Sequence, residues 1–107
     1  MKDLILLLNT NGFWTTFCCQ GKTKLSEFDS NSHNITAYVV FAEAPKKILE
    51  SKNLLKFSHF LKNNSLGVYS MEMIHKEEYD KLTTESKQRI IEANLCFPEL
   101  IRHELEI

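Results

Sequence analysis

Residues 35–41, Ile-Thr-Ala-Tyr-Val-Val-Phe, have the least conformational choice in this chain, being β-branched or aromatic at every position but Ala37. Alternation places Ile35, Ala37, Val39 and Phe41 on one face and Thr36, Tyr38 and Val40 on the other. A strand is predicted here, with the first face in the core. The Tyr38 face is left to meet a ligand or a second layer.

The flanking segments limit what this strand can pair with. Residues 1–11 carry Leu4, Leu7 and Leu8 at helical spacing with Asp3 in the first turn, and Asn11-Gly12 is a left-handed stop signal, which predicts a short opening helix. Residues 13–19 are aromatic and β-branched and predict a strand in which Trp14 or Phe17, but not both, is buried. Residues 20–34 are polar and turn-rich apart from Leu25 and Phe28, a loop long enough to be functional or mobile.

Pro45 suits the first turn of a helix, and an apolar stripe from Ile48 through Leu54, Phe57 and Leu61 extends that helix to residue 62, with a break at 51–53. Residues 66–74 predict a third strand. Residues 77–82 and 84–95 predict helices, and Pro98 opens a final segment in which Phe97, Ile101 and Leu105 share a face. The order predicts one α+β domain over residues 1–107: helix, β-hairpin, helix, strand, helices. Its sheet is expected to have three strands ordered 2-1-3, the first strand central, with helices packed mainly on one face.

Composition excludes several functional classes. Net charge is −1, and acidic residues are interspersed among the basic ones over residues 72–106, so no positive field gathers DNA. The longest apolar run, residues 4–8, is too short to span a bilayer or to form the core of a secretory signal, and a cytoplasmic protein is expected. Three cysteines, two of them adjacent, do not make a disulfide framework, so reduced thiols are expected and the Asn34-Ile35-Thr36 and Asn63-Asn64-Ser65 sequons are chance matches. Histidines at 33, 59, 75 and 103 lack metal-ligand spacing, and no metal or cofactor is expected. Small size and 10% aromatic content favour a homo-oligomer.

The chemistry-bearing residues concentrate at the junction Thr15-Thr16-Phe17-Cys18-Cys19-Gln20-Gly21-Lys22. Thr15, Thr16 and Gln20 offer hydroxyls and an amide, Gly21 lets backbone N–H groups approach a ligand, and Lys22 supplies a point charge. Together they suit a phosphate or carboxylate. Gly21-Lys22-Thr23 is half of a phosphate-binding P-loop, but Thr16 stands where the first glycine belongs and no helix start follows. The competing reading is an ordinary hairpin turn with Lys22 and Lys24 solvated. Cys18 and Cys19 point to opposite faces, and Cys19 with His33 across the hairpin is a candidate thiol–imidazole pair. Tyr38, with Trp14, Phe17 and Phe28 nearby, stacks on a base or packs in the core.

This hairpin resembles that of small phage and mobile-element proteins carrying Gly-x-x-Thr-x-x-Cys-Cys-x-Gly followed by an Ala-Tyr-hydrophobic-x-Phe strand. Here those positions are Gly12, Thr15, Cys18, Cys19 and Gly21, then Ala37, Tyr38, Val39, Val40 and Phe41. More distantly it is similar to the Thr-Thr-Ser-Ser-Cys-Ser-Gly-Arg segment of the wybutosine-synthesising methyltransferase family, matched by Thr15, Thr16, Cys19 and Gly21, with Lys22 for Arg. Lys22 also stands where the phage-type pattern more often has His, which keeps a charge and gives up an acid/base group. The chain is far shorter than the usual methyltransferase, so that activity is not implied.

The resemblance implies a phage-type protein of the bacterial host cytoplasm that binds, and sequesters without turnover, a nucleotide-like defence signal. Thr15, Thr16, Cys19, Gln20, Gly21, Lys22, His33 and Tyr38 are the expected ligand-binding residues, with no catalytic residue. The alternatives are an enzyme acting on a nucleotide or RNA through Cys19 or His33, and a protein–protein interaction module.

Overall fold

The computed structural model describes residues 1–29, 35–72 and 74–107. Helix α1, Lys2–Thr10, buries Leu4 and Leu8 and ends at Gly12, whose φ of +84° lets the Phe13 N–H reach back to the Leu8 carbonyl at 2.9 Å. Strand β1, Thr15–Cys19, and strand β2, Tyr38–Phe41, then pair antiparallel, with Cys19 opposite Tyr38 and Phe17 opposite Val40. This is the expected hairpin. Its polar connection contains a 3-10 turn, Leu25–Asp29, which packs on the last helix with Phe28 under Lys87.

The rest of the sheet differs from the three-stranded 2-1-3 arrangement. Four strands lie in the order β1-β2-β4-β3, every neighbouring pair antiparallel. Strand β4 is Leu66–Tyr69, and it pairs with β2 rather than β1. The physical reason is burial. Val39, Val40 and Phe41 are all buried, so β2 takes an inside position between two strands, whereas the Thr-Thr-Phe-Cys-Cys strand, mostly exposed, tolerates an edge. At this edge Trp14, just before β1, and Phe17, within it, are both exposed, at 67% and 69%, where burial of one was expected.

Strand β3, Ser58–Phe60, occupies the other edge and lies where the apolar stripe predicts helix. The predicted helix survives as two single turns, α2 (Lys46–Leu49) and α3 (Lys52–Leu55), divided at Ser51, whose hydroxyl accepts from the Leu54 N–H at 3.2 Å. Turns this short have little stability of their own. Beyond them the chain extends and pairs with β4. Asn63 and Asn64, both at positive φ, close the hairpin, and the Ser65 N–H bonds to the Lys62 carbonyl at 3.3 Å. Asn63-Asn64-Ser65, which follows the predicted helix, is hairpin-turn chemistry.

After a 3-10 segment, Lys76–Lys81, helix α4 runs unbroken over Thr84–Leu105, capped by Thr83, whose hydroxyl accepts from the Ser86 N–H. Pro98 sits inside it instead of opening a new segment. A proline costs a helix one hydrogen bond, and the continuous buried row Ile90, Asn94, Phe97, Ile101 and Leu105 outweighs that loss.

The core lies between one sheet face and the helices: Val39, Phe41, Leu66 and Val68 meet Leu8, Ile48, Leu54 and Phe97. The opposite face carries Tyr38, Val40, Gly67 and Tyr69, and among the described residues no α-helix packs over it. Among the described residues no helix is long and apolar enough to cross a membrane.

Candidate functional site

The β1–β2 junction is built inward. Gly21, at φ +71°, is buried, and a side chain there would place Cβ 2.5 Å from Asn94 Nδ2 and 2.6 Å from the Ala37 nitrogen. Only glycine fits. Its N–H points at Cys19 Sγ at 3.5 Å, and the Lys22 N–H donates to the Ile35 carbonyl at 3.0 Å. Two of the backbone donors an anion cradle would present are therefore turned onto the protein itself. Lys22, expected at a ligand's phosphate or in solvent, is only 2% exposed, because the turn carrying it is drawn under α4.

What draws it there is Asn94, which lies within the helix predicted over residues 84–95. Its side-chain amide donates to the carbonyls of Lys22 and Ile35, both at 2.8 Å. Its Oδ1 accepts from the Ala37 N–H at 2.8 Å and from the Ser70 hydroxyl at 2.7 Å. Asn94 thus ties both ends of the 22–35 connection to β2, to the end of β4 and to α4. Glu27 closes the same loop, accepting from the Thr23 N–H and hydroxyl at 2.9 and 2.7 Å. The available signal was a lone amide on the apolar row of α4.

The remaining expected residues are dispersed. Thr15 approaches Asn9 Oδ1 through its N–H and hydroxyl at 3.3 and 3.4 Å, and the exposed Thr16 hydroxyl lies 3.5 Å from the Val40 carbonyl. Cys18 is exposed and Cys19 half-buried, while Gln20 is exposed. His33 lies outside the described residues. Tyr38 is the expected residue that lines the cleft on the open sheet face.

That cleft has a volume of about 340 Å³, within the roughly 300–1,000 Å³ of small-molecule sites. Tyr38 and Tyr69, from the two inner strands, form its floor with ring centroids 5.6 Å apart and planes inclined by 37°. Tyr79, from the 3-10 segment, and Phe17, from the β1 edge, form its sides. Thr36 adds a hydroxyl-bearing side chain, and Ile35, Val40 and Ile74 complete an apolar lining.

Gly67 makes this floor possible. A Cβ at this position would come within 3.2 Å of the Tyr69 ring, so the missing side chain lets that ring lie over the strand. His59 then meets the other side of Tyr69 edge-on, at 5.8 Å and 63°. No charged side chain lines the cleft among the described residues. The arrangement can stack a planar ring and hydrogen-bond its edge through phenol and threonine hydroxyls. Comparison with protein-family models, with curated proteins and with solved structures finds no match to this chain, so the site is read from its own geometry.

Proposed function

We propose that this protein binds a nucleotide-like ligand by stacking its base in the tyrosine-lined cleft of the open sheet face, and holds it without turnover. The carrying observation is that Tyr38, Tyr69 and Tyr79 converge with Phe17 on one concavity of nucleoside size. Aromatic faces stack on any base, and the hydroxyls add edge recognition without charge. The cleft's described lining has no histidine, cysteine or carboxylate to move a proton or attack a bond, which favours retention over reaction. The resemblance to phage and mobile-element proteins supports a defence signal as the ligand, sequestered in the bacterial cytoplasm.

The test is a thermal-shift and calorimetric screen of nucleosides, nucleotides and cyclic nucleotides, with mass spectrometry of any small molecule released on heating. A ligand at one hundred times its Kd adds about 2.7 kcal/mol to stability and is recovered unchanged under this reading. Recovery of a product argues for an enzyme. Loss of binding in Tyr69→Ala, with retention in Tyr69→Phe, places the ligand on the ring.

One observation favours an additional self-association reading. Edge strand β1 contains no charge or proline, carries exposed Phe17 and follows directly on exposed Trp14, and an edge of this kind pairs readily with another strand. Sedimentation equilibrium of wild type and Thr16→Pro decides it: a dimer that the proline dissociates supports pairing through β1, and a wild-type monomer removes it.

A further inference from the structure

We infer that the outer edge of β3 is a docking site for an acidic, extended segment of another protein, which adds to the sheet as a further strand. Neither the tyrosine cleft nor its ligand enters this inference.

The main chain supplies the first observation. The Phe57 carbonyl accepts from the Tyr69 N–H at 3.1 Å and the Leu61 N–H donates to the Ser65 carbonyl at 2.7 Å, so residues 57, 59 and 61 face β4 in the ladder. Ser58 and Phe60 lie between them, opposite Val68 and Leu66, and turn their N–H and C=O groups away from the sheet. Among the described residues no other group bonds to those main-chain atoms. Outward donors and acceptors at this spacing are what an extended chain pairs with.

Charge supplies the second observation. Residues 46–62 hold five lysines and one carboxylate, Glu50, in a chain whose net charge is −1. Lys46 pairs with Glu50 and Lys47 with Glu106, whereas Lys52, Lys56 and Lys62 are exposed and have no ion pair among the described residues. Lys56 precedes β3 by two residues and Lys62 follows it by two, so the open edge has a cation at each end.

These lysines decide between occupants. In a two-fold antiparallel pairing of β3 with a second copy, centred on His59, Lys56 of each copy would lie opposite Lys62 of the other, and like charges opposed across strands are destabilising. A segment with carboxylates at both ends instead meets a lysine at each end, whichever way it runs. Its central side chains alternate between the two sides of the sheet. On the helix-covered side they adjoin Phe60, opposite Leu66 and 61% exposed, and on the other side they adjoin His59, opposite Gly67. The Phe60 ring favours an aromatic or β-branched neighbour.

The test uses an array of peptides of about nine residues, the length of an added strand with its flanks. Each carries paired acidic, neutral or basic residues at both ends of a core drawn from Val, Ile, Thr, Phe and Tyr. The full chain is applied to the array, and the best members are titrated by fluorescence anisotropy. The expected result is binding confined to acidic-ended peptides, with a Kd of about 100 µM or tighter that weakens about tenfold or more when salt rises from about 0.05 M to about 0.5 M. Lys56→Gln with Lys62→Gln should weaken the best acidic peptide about tenfold or more, and Lys56→Glu with Lys62→Glu should transfer the preference to basic-ended peptides. Hydrogen exchange at the Ser58 and Phe60 amides, read by NMR, should slow in the complex, which attraction between charges alone does not produce.

Acidic and neutral peptides bound alike, acidic binding that survives both pairs of lysine substitutions, or unchanged exchange at Ser58 and Phe60 overturns this inference. A single-stranded oligonucleotide that displaces the best peptide and binds more tightly overturns it in favour of a general polyanion surface. Absence of binding by every peptide at about 1 mM overturns it as well.

Discussion

Two regions at opposite sides of strand β2 handle polar atoms differently. Around Asn94 and Gly21, an amide with four hydrogen bonds, two inward-turned N–H groups and a buried lysine are packed beneath a helix. Across the sheet, Tyr38, Tyr69 and Tyr79 stand half-exposed around open space. The closed region uses polar groups to fix the backbone, and among the described residues no buried side-chain nitrogen or oxygen lacks a partner. The open region leaves aromatic surface without a covering layer. Density of functional residue types is thus a poor guide to a site, because a satisfied network consumes the groups that a ligand would need.

The comparison breaks first at Gly21. Gly21→Ala forces a Cβ into Asn94 and the Ala37 backbone at positive φ, and a loss of about 4 kcal/mol or failure to fold is expected, read by urea denaturation. Retention of near wild-type stability would show that the turn does not lie under α4. Asn94→Ala takes its partner from the Ala37 N–H and one donor each from the Lys22 and Ile35 carbonyls, the Ile35 carbonyl keeping the Lys22 N–H, with an expected loss of about 3 kcal/mol. Asn94→Asp keeps the acceptor but sets a buried carboxylate oxygen against the Lys22 and Ile35 carbonyls, and should cost at least as much as the alanine variant.

On the open face the effect moves from stability to binding. Tyr69→Ala should reduce affinity for a base-bearing ligand by about 1–3 kcal/mol while costing less stability than Asn94→Ala. Equal losses of stability in the two variants would erase the distinction between a packed hub and a binding floor. Glu27→Ala, which removes the two bonds to Thr23, should cost about 1 kcal/mol by denaturation and leave affinity untouched.

The smallest effect is at the helix ends. Lys47 donates to Glu106 at 2.7 Å and holds its carboxyl below the ordinary value, chiefly through that hydrogen bond and secondarily through its charge. Because the folded value is the lower one, the contribution is present above the unfolded carboxylate value and is lost as pH falls through the folded value. The pair is solvent-exposed, so Lys47→Met should lower Tm slightly, less so in high salt and not at all once the carboxyl is protonated. A large, salt-independent drop would mean that Lys47 packs rather than pairs.

The legible parts of the molecule were those governed by local rules. The helix at residues 2–10 follows from leucine spacing and the Asn11-Gly12 stop, and the strand at 38–41 follows from alternation and β-branching. Tyr38 was placed on the face away from the core for the same reason. Tyr69 and Tyr79 were not legible as partners of Tyr38, since one lies on a strand that was assigned a different neighbour and the other in a segment read as helix.

By itself, the sequence determined the α+β class, the opening helix, the two strands of the β1–β2 hairpin and which face of β2 enters the core, because helical spacing, β-branching and alternation are set by neighbouring residues. Tertiary structure decided the strand order, the conversion of residues 58–60 from helix to edge strand, and the continuity of α4 through Pro98. It also turned Gly21 and Lys22 inward onto Asn94, more than seventy residues away in the chain. Those outcomes depend on which surfaces find cover and which buried polar atoms find partners, and both are settled only when distant segments meet.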